Sequence, residues 1–160
     1  MPSRQKTIDF LESRAFKKSI TDQLPDGKAK IALAIRDRLI NHSELNAFGA
    51  PDLKGTSAFD ICLFMLFLDV LDTDSKTEVM AGIFNVGQLS CKKWIKRLRS
   101  EAMADIEWVR PQESVRGNVG KFVVYSWGIF DSTVYSVFKP YAKMVLDNYK
   151  SHKAIEKLES

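Results

Sequence analysis

Cysteine and histidine are scarce in this chain, with two of each in 160 residues. Cys62 and Cys91, with His42 and His152, show no zinc-like spacing. Both cysteines fall in apolar patterns, where they read as small buried hydrophobes. Long apolar runs are missing too. The most hydrophobic stretch, residues 61–68 between Asp60 and Asp69, is far shorter than the roughly 20 residues a bilayer demands, and reads as a central buried helix. Residues 1–6 are charged and no apolar core follows them, so a secretory signal is not expected and a cytoplasmic location is. No glycine-rich phosphate loop is present, because Gly117-Asn118-Val119-Gly120 has neither a following helix nor a Lys-Ser/Thr pair. Asp69, Asp72 and Asp74 cluster, but no glycine stands where a calcium loop turns sharply, and loop solvation and capping account for them. Neither histidine has a partner set for nucleophilic chemistry. No enzymatic activity, cofactor or metal is expected.

What the chain has is an ordinary globular composition with a localised charge. Its apolar content of 45% is enough for a core without disulfides. The net charge is +4. From Gln88 to Gly128, eight basic residues face four acidic ones, so this segment alone carries an excess equal to that of the whole chain. A positive surface on a neutral body favours nucleic acid.

The charge is concentrated in Ser90-Cys91-Lys92-Lys93-Trp94-Ile95-Lys96-Arg97-Leu98-Arg99. Cys91, Ile95 and Leu98 repeat at helical spacing, with Trp94 beside them, and form a stripe for a core. Lys92, Lys96 and Arg99 repeat at the same spacing on another face. A helix over 90–103, anchored on one side and positive on the other, suits DNA phosphates and base edges. Two extended runs follow, Ala104–Arg110 and Lys121–Trp127, the second rich in β-branched and aromatic residues. The loop between them, residues 112–120, holds Gly117, Asn118 and Gly120 and suits a hairpin tip. Trp94, Trp108 and Trp127 read as packing between hairpin and helix rather than as base-stacking platforms.

Upstream, Ser57 is placed to cap a helix through 59–68. Ser75-Lys76-Thr77-Glu78 has capping-box spacing and opens a shorter helix. Asn85-Val86-Gly87 supplies a turn into the basic helix. Phe59, Phe64, Phe67, Phe84 and Phe122 are core candidates. This order over residues 57–130 resembles the winged helix-turn-helix family. One departure is the pair Gln88-Leu89 between the turn glycine and Ser90, which lengthens the turn.

The resemblance implies a sequence-specific double-stranded DNA-binding protein, most simply a transcriptional regulator, with helix 90–103 in a major groove and wing 112–121 on the backbone or an adjacent minor groove. Lys92, Lys93 and Lys96 would touch phosphates or bases, and Ser90 a phosphate. Arg97 or Arg99 would fork a guanine. Arg116 and Asn118 stand at the wing tip, with Arg110 and Lys121 placed for phosphates. A replication-initiation or partition protein of a plasmid or phage uses the same fold and is the alternative. A winged-helix protein-interaction module is another.

Helices flank this core, giving a mainly α fold with a small β-hairpin. Residues 1–48 form an N-terminal helical segment. Apolar positions 8, 11, 15 and 16 fit one helix of about four turns. A stop follows at Leu24-Pro25-Asp26-Gly27, where Asp26 is placed to cap a second helix through Ile31, Ile35 and Leu39. Lys28, Lys30, Arg36 and Arg38 decorate that helix as a solvated face. Residues 46–56 read as a linker. Residues 131–160 form a C-terminal helical segment that Pro140 should kink or interrupt. Terminal helices on a small domain need cover, so a homodimer through them is expected.

Overall fold

The computed structural model describes residues 3–41, 45–52, 66–67, 69–71, 76–93, 96 and 132–159. They are mainly helical, at 81% helix. Six helices are bounded within them: α1 (Ser3–Glu12), α2 (Arg14–Gln23), α3 (Asp26–Ile40), α4 (Lys76–Phe84), α5 (Ser132–Ser136) and α6 (Lys139–Glu159). The only β-type pairing among the described residues is an isolated antiparallel bridge between Leu45 and Pro51. The expected hairpin lies outside the described residues, as does the helix expected through 59–68 except for Leu66 and Phe67, which are helical.

The N-terminal apolar pattern is divided between two helices rather than one. Ser13 adopts an extended conformation (φ −67°, ψ 146°) and its Oγ accepts from the Phe16 N–H, capping α2. The same hydroxyl donates to the Phe10 carbonyl at 2.8 Å, finishing α1. A serine that satisfies both ends competes with continuous helix. The break lets Phe10 and Phe16 meet, with ring centroids 4.6 Å apart. The next turn also differs in detail. Pro25 is the N-cap of α3, without a side-chain cap bond, and Asp26 is its first residue, where a carboxylate favours the positive helix end. Arg36 departs from the expected solvated face, since its side chain is only 13% exposed beside Asp37.

At the C-terminal end Pro140 does not kink a helix; it starts one. It is the second residue of α6, where the missing N–H has no helical acceptor to lose. The helix then runs unbroken to Glu159, although every residue from Lys150 to Glu159 is exposed.

One core joins these elements. It includes Leu11, Phe16, Ile20, Ile35, Leu39, Phe67, Met80, Phe84, Phe138, Tyr141 and Val145. Leu66, Phe67 and Leu71 bring the segment ahead of α4 into it. Phe67 meets Phe84 edge-on at 5.2 Å, and Phe16 meets Phe138 edge-on at 5.5 Å. Helix α1 packs along α6, α2 along α3, and α3 against α5. The helices at the two ends of the described chain, α1 and α6, thus pack on each other. On the outer end of α6, Ile155 and Leu158 stay exposed.

The stretch expected as a linker is a packed turn over its described part. Ala50 is fully buried and Gly49 takes φ +86°. Asn46 organises the turn: its Oδ1 accepts from the N–H groups of Phe48 (3.0 Å) and Ala50 (3.2 Å). Asn148 fastens it from α6, donating to the Phe48 carbonyl at 2.9 Å and to Thr7 Oγ1 at 3.0 Å.

Candidate nucleic-acid interface

The basic helix begins from a defined corner. Helix α4 ends at Phe84, and Asn85 follows with φ +56°. The Val86 N–H then bonds back to the Ala81 carbonyl at 3.1 Å. A left-handed residue just past the helix and a bond spanning five positions define a Schellman stop, and asparagine tolerates that conformation better than most residues. Val86 packs against the core, as such motifs favour. The Asn46 amide adds a second clamp from a remote segment, donating to the Ile83 carbonyl at 2.7 Å and so satisfying a carbonyl left open at the end of α4.

Gly87 ends the corner. Its carbonyl accepts from the Cys91 N–H at 3.0 Å, and helical conformation starts at residue 88. The turn is therefore the three residues 85–87, and the helix starts two residues before Ser90. The lengthened turn expected from Gln88-Leu89 is not there, because both residues belong to the helix. Helix, three-residue turn, helix is the spacing of a helix-turn-helix corner.

The early start re-aims the helix surface. Residues 88–93 and Lys96 are helical. Cys91 is fully buried in the core, and burial pushes its thiol pKa up to about 11. It anchors the helix as an inert apolar group. Leu89, Lys92, Lys93 and Lys96 stand at i, i+3, i+4 and i+7 and so share the opposite face. All four are exposed, Leu89 at 69%. Among the described residues, no ion pair involves these three lysines. Ser90, on the flank of this stripe, is exposed as well. The result is a positive strip with one large apolar side chain at its leading end.

Of the residues expected to touch DNA, the structure brings Lys92, Lys93 and Lys96 onto one surface, with Ser90 beside it. Arg97, Arg99, Arg110, Arg116, Asn118 and Lys121 lie outside the described residues, as do the three tryptophans and Cys62. Leu89 is the surface residue that sequence reasoning missed. Its helical spacing with the lysines is present in the sequence, but it only signals once the helix is started at Gln88.

Elsewhere, Asp69 is committed to Lys139 (2.9 Å) and accepts from the Tyr135 hydroxyl at 3.4 Å, so this member of the acidic cluster ties the segment before α4 to α5 and α6. No helix among the described residues is long and apolar enough to cross a membrane. Comparison with family models, curated proteins and solved structures finds no match for the chain.

Proposed function

We infer that the chain binds double-stranded DNA through the helix that starts at Gln88, with Leu89, Lys92, Lys93 and Lys96 facing the groove. One observation carries this reading: a lysine strip without ion-pair partners among the described residues, on a helix whose far side is locked into the core by Cys91. Fixing the helix at its N-terminus by the Asn85 corner and the Asn46 clamp gives the strip a defined aim, which groove reading requires. Lysines supply the phosphate attraction, and Leu89 offers an apolar contact of the kind a thymine methyl accepts.

In this reading Arg97 or Arg99, further along the same helix, forks a guanine edge. A winged hairpin over 106–127 brings Arg116 and Asn118 to the backbone or minor groove and Arg110 and Lys121 to phosphates. The biological role that follows most simply is sequence-specific transcriptional regulation.

The test is selection of double-stranded sites from a random pool, followed by titration of the winning site over a salt series. A reproducible motif with a steep salt slope supports groove reading, and a palindrome reports paired copies through its half-site spacing. No enrichment and no salt-dependent binding would remove the reading and favour a protein-interaction surface.

A further inference from the structure

A groove of about 310 Å³ lies well away in sequence from the basic helix, where α1 begins and α6 runs on past the core. Arg4 enters it from the first turn of α1, Phe48 from the 45–52 turn, and Ser151, His152 and Ile155 from α6. Its walls are fixed to one another. The Phe48 ring meets those of Tyr149 and His152 edge-on, at 5.3 and 5.4 Å. Asn148, also lining the groove, bonds to both the Phe48 carbonyl and Thr7, and so ties turn, α1 and α6 together. The volume is at the lower end of the roughly 300–1,000 Å³ typical of small-molecule sites.

The charges around it are unequal in their commitments. Glu156, one position beyond Ile155, pairs with Lys153 at 3.3 Å and His152 at 3.1 Å, and the Lys153 ammonium holds its carboxyl below the usual range. Arg4 has no ion-pair partner among the described residues. A guanidinium fork is therefore left for an incoming anion, beside an aromatic edge, an aliphatic side chain and the Ser151 hydroxyl. Among the described residues, Arg4 is the one cation that lines the groove, and one cation matches one negative charge on the ligand.

We propose that this groove binds a small organic monocarboxylate, its carboxylate forked by Arg4 and its flat apolar body between Phe48 and Ile155, and that occupancy bears on the basic helix. The path is short. The N–H of Phe48 is held by Asn46 Oδ1, and the amide of the same Asn46 clamps the Ile83 carbonyl, two residues before the Asn85 corner. A ligand pressing on Phe48 thus loads the side chain that aims the helix. This second half rests on the DNA-binding reading, whereas ligand binding itself does not.

Sodium benzoate is a suitable probe, titrated into the full chain against sodium chloride of equal ionic strength while backbone amide resonances are followed. Saturable shifts at Phe48, Ser151 and His152 are expected in the millimolar range. Arg4→Gln should weaken binding by about ten-fold or more, the loss of a charge-assisted pair. Lys6→Gln, which removes the same charge from the exposed side of α1, should leave it unchanged, and benzylamine should not bind. Absence of saturable shifts, or equal weakening by both variants, would overturn the site. With a selected DNA site in hand, saturating benzoate should move the DNA affinity several-fold in the parent and not in Arg4→Gln. Unmoved DNA affinity with intact benzoate binding would overturn the coupling. Failure to bind any DNA would sink the DNA reading instead, and the benzoate shifts would still report on the groove.

Discussion

The hydroxyl of Tyr141 donates a 2.6 Å hydrogen bond to the carbonyl of Gly49, 92 positions earlier in the chain, and the whole tyrosine is buried. Burial holds this phenol in its neutral donor form at any physiological pH. Gly49 is itself constrained: its φ of +86° suits glycine, and a Cβ there would come within 2.7 Å of the Thr7 side chain. The pair pins the 45–52 turn between α1 and α6, and with it Asn46 and the end of α4. Tyr141→Phe keeps the ring and removes only the donor, leaving a buried carbonyl unsatisfied. The expected loss is about 1–3 kcal/mol in urea unfolding with the slope unchanged. Stability equal to the parent would show that another group satisfies the carbonyl.

Two helical glycines should respond oppositely to the same substitution. Gly27, in the first turn of α3, has no other group within 4 Å of the place a Cβ would occupy. Gly27→Ala should therefore stabilise by about 0.4–1 kcal/mol through reduced freedom of the unfolded chain. Gly82 in α4 would place its Cβ 2.7 Å from Cζ of Tyr149. That ring is held in turn by Phe48 and cannot swing aside cheaply. Overpacking costs about 1–3 kcal/mol, more than the gain in helix propensity, so Gly82→Ala should destabilise. Thermal unfolding of the two variants side by side decides the matter.

The helical segments and their buried stripes are legible in the sequence because they depend on local periodicity. Of the apolar positions read in the first three helices, 11, 16, 35 and 39 are buried in the core, Ile8 and Ile31 are half-buried and Ala15 is exposed. Boundaries are less legible where a single side chain chooses between alternatives. Ser13 reads in sequence as a neutral residue inside a periodic run, and only its two hydrogen bonds make it a double cap. Pro140 reads as a breaker until Val137 and Phe138 leave the helix ahead of it. The 46–52 segment reads as a linker because Gly49, Pro51 and Asp52 are loop residues, while its partners Ile83, Tyr141 and Asn148 lie 37 to 100 positions away. No local pattern carries such pairings. The lysines of the candidate interface are legible for the converse reason, since a run of like charge is a property of the sequence itself. The start of their helix is not, because it is set by the Asn85 conformation.

Stability should also fall at alkaline pH through Cys91. Its thiol pKa is raised from 9.0 to about 11 because burial disfavours the thiolate. Below pH 9 the thiol is protonated in both states and its contribution is fully present. Between pH 9 and 11 the unfolded chain loses this proton while the folded chain keeps it, so stability declines through that window. Cys91→Ala is expected to be less stable than the parent at neutral pH, having lost a buried side chain. The gap between the two should narrow as pH rises from 9 to 11. A constant gap would show that Cys91 ionises as readily folded as unfolded.

On the DNA-binding reading, the strip on the basic helix would touch DNA in two ways that one binding experiment can tell apart. Lysines facing phosphates act on every sequence alike, so Lys92→Gln, Lys93→Gln and Lys96→Gln should each reduce the salt dependence, by about 0.9 in the log–log slope for each phosphate that is no longer neutralised. Leu89 carries no charge and should leave the slope alone. Its effect belongs to base identity: replacing thymine by uracil in the selected site removes one methyl and nothing else. A methyl packed on Leu89 contributes on the order of 0.8 kcal/mol, a few-fold in affinity. The parent should lose that much at one position of the site, and Leu89→Ala should be indifferent to the same replacement. If both proteins respond identically to uracil at every position, Leu89 does not face a base, and its 69% exposure at the head of the lysine strip serves some other purpose.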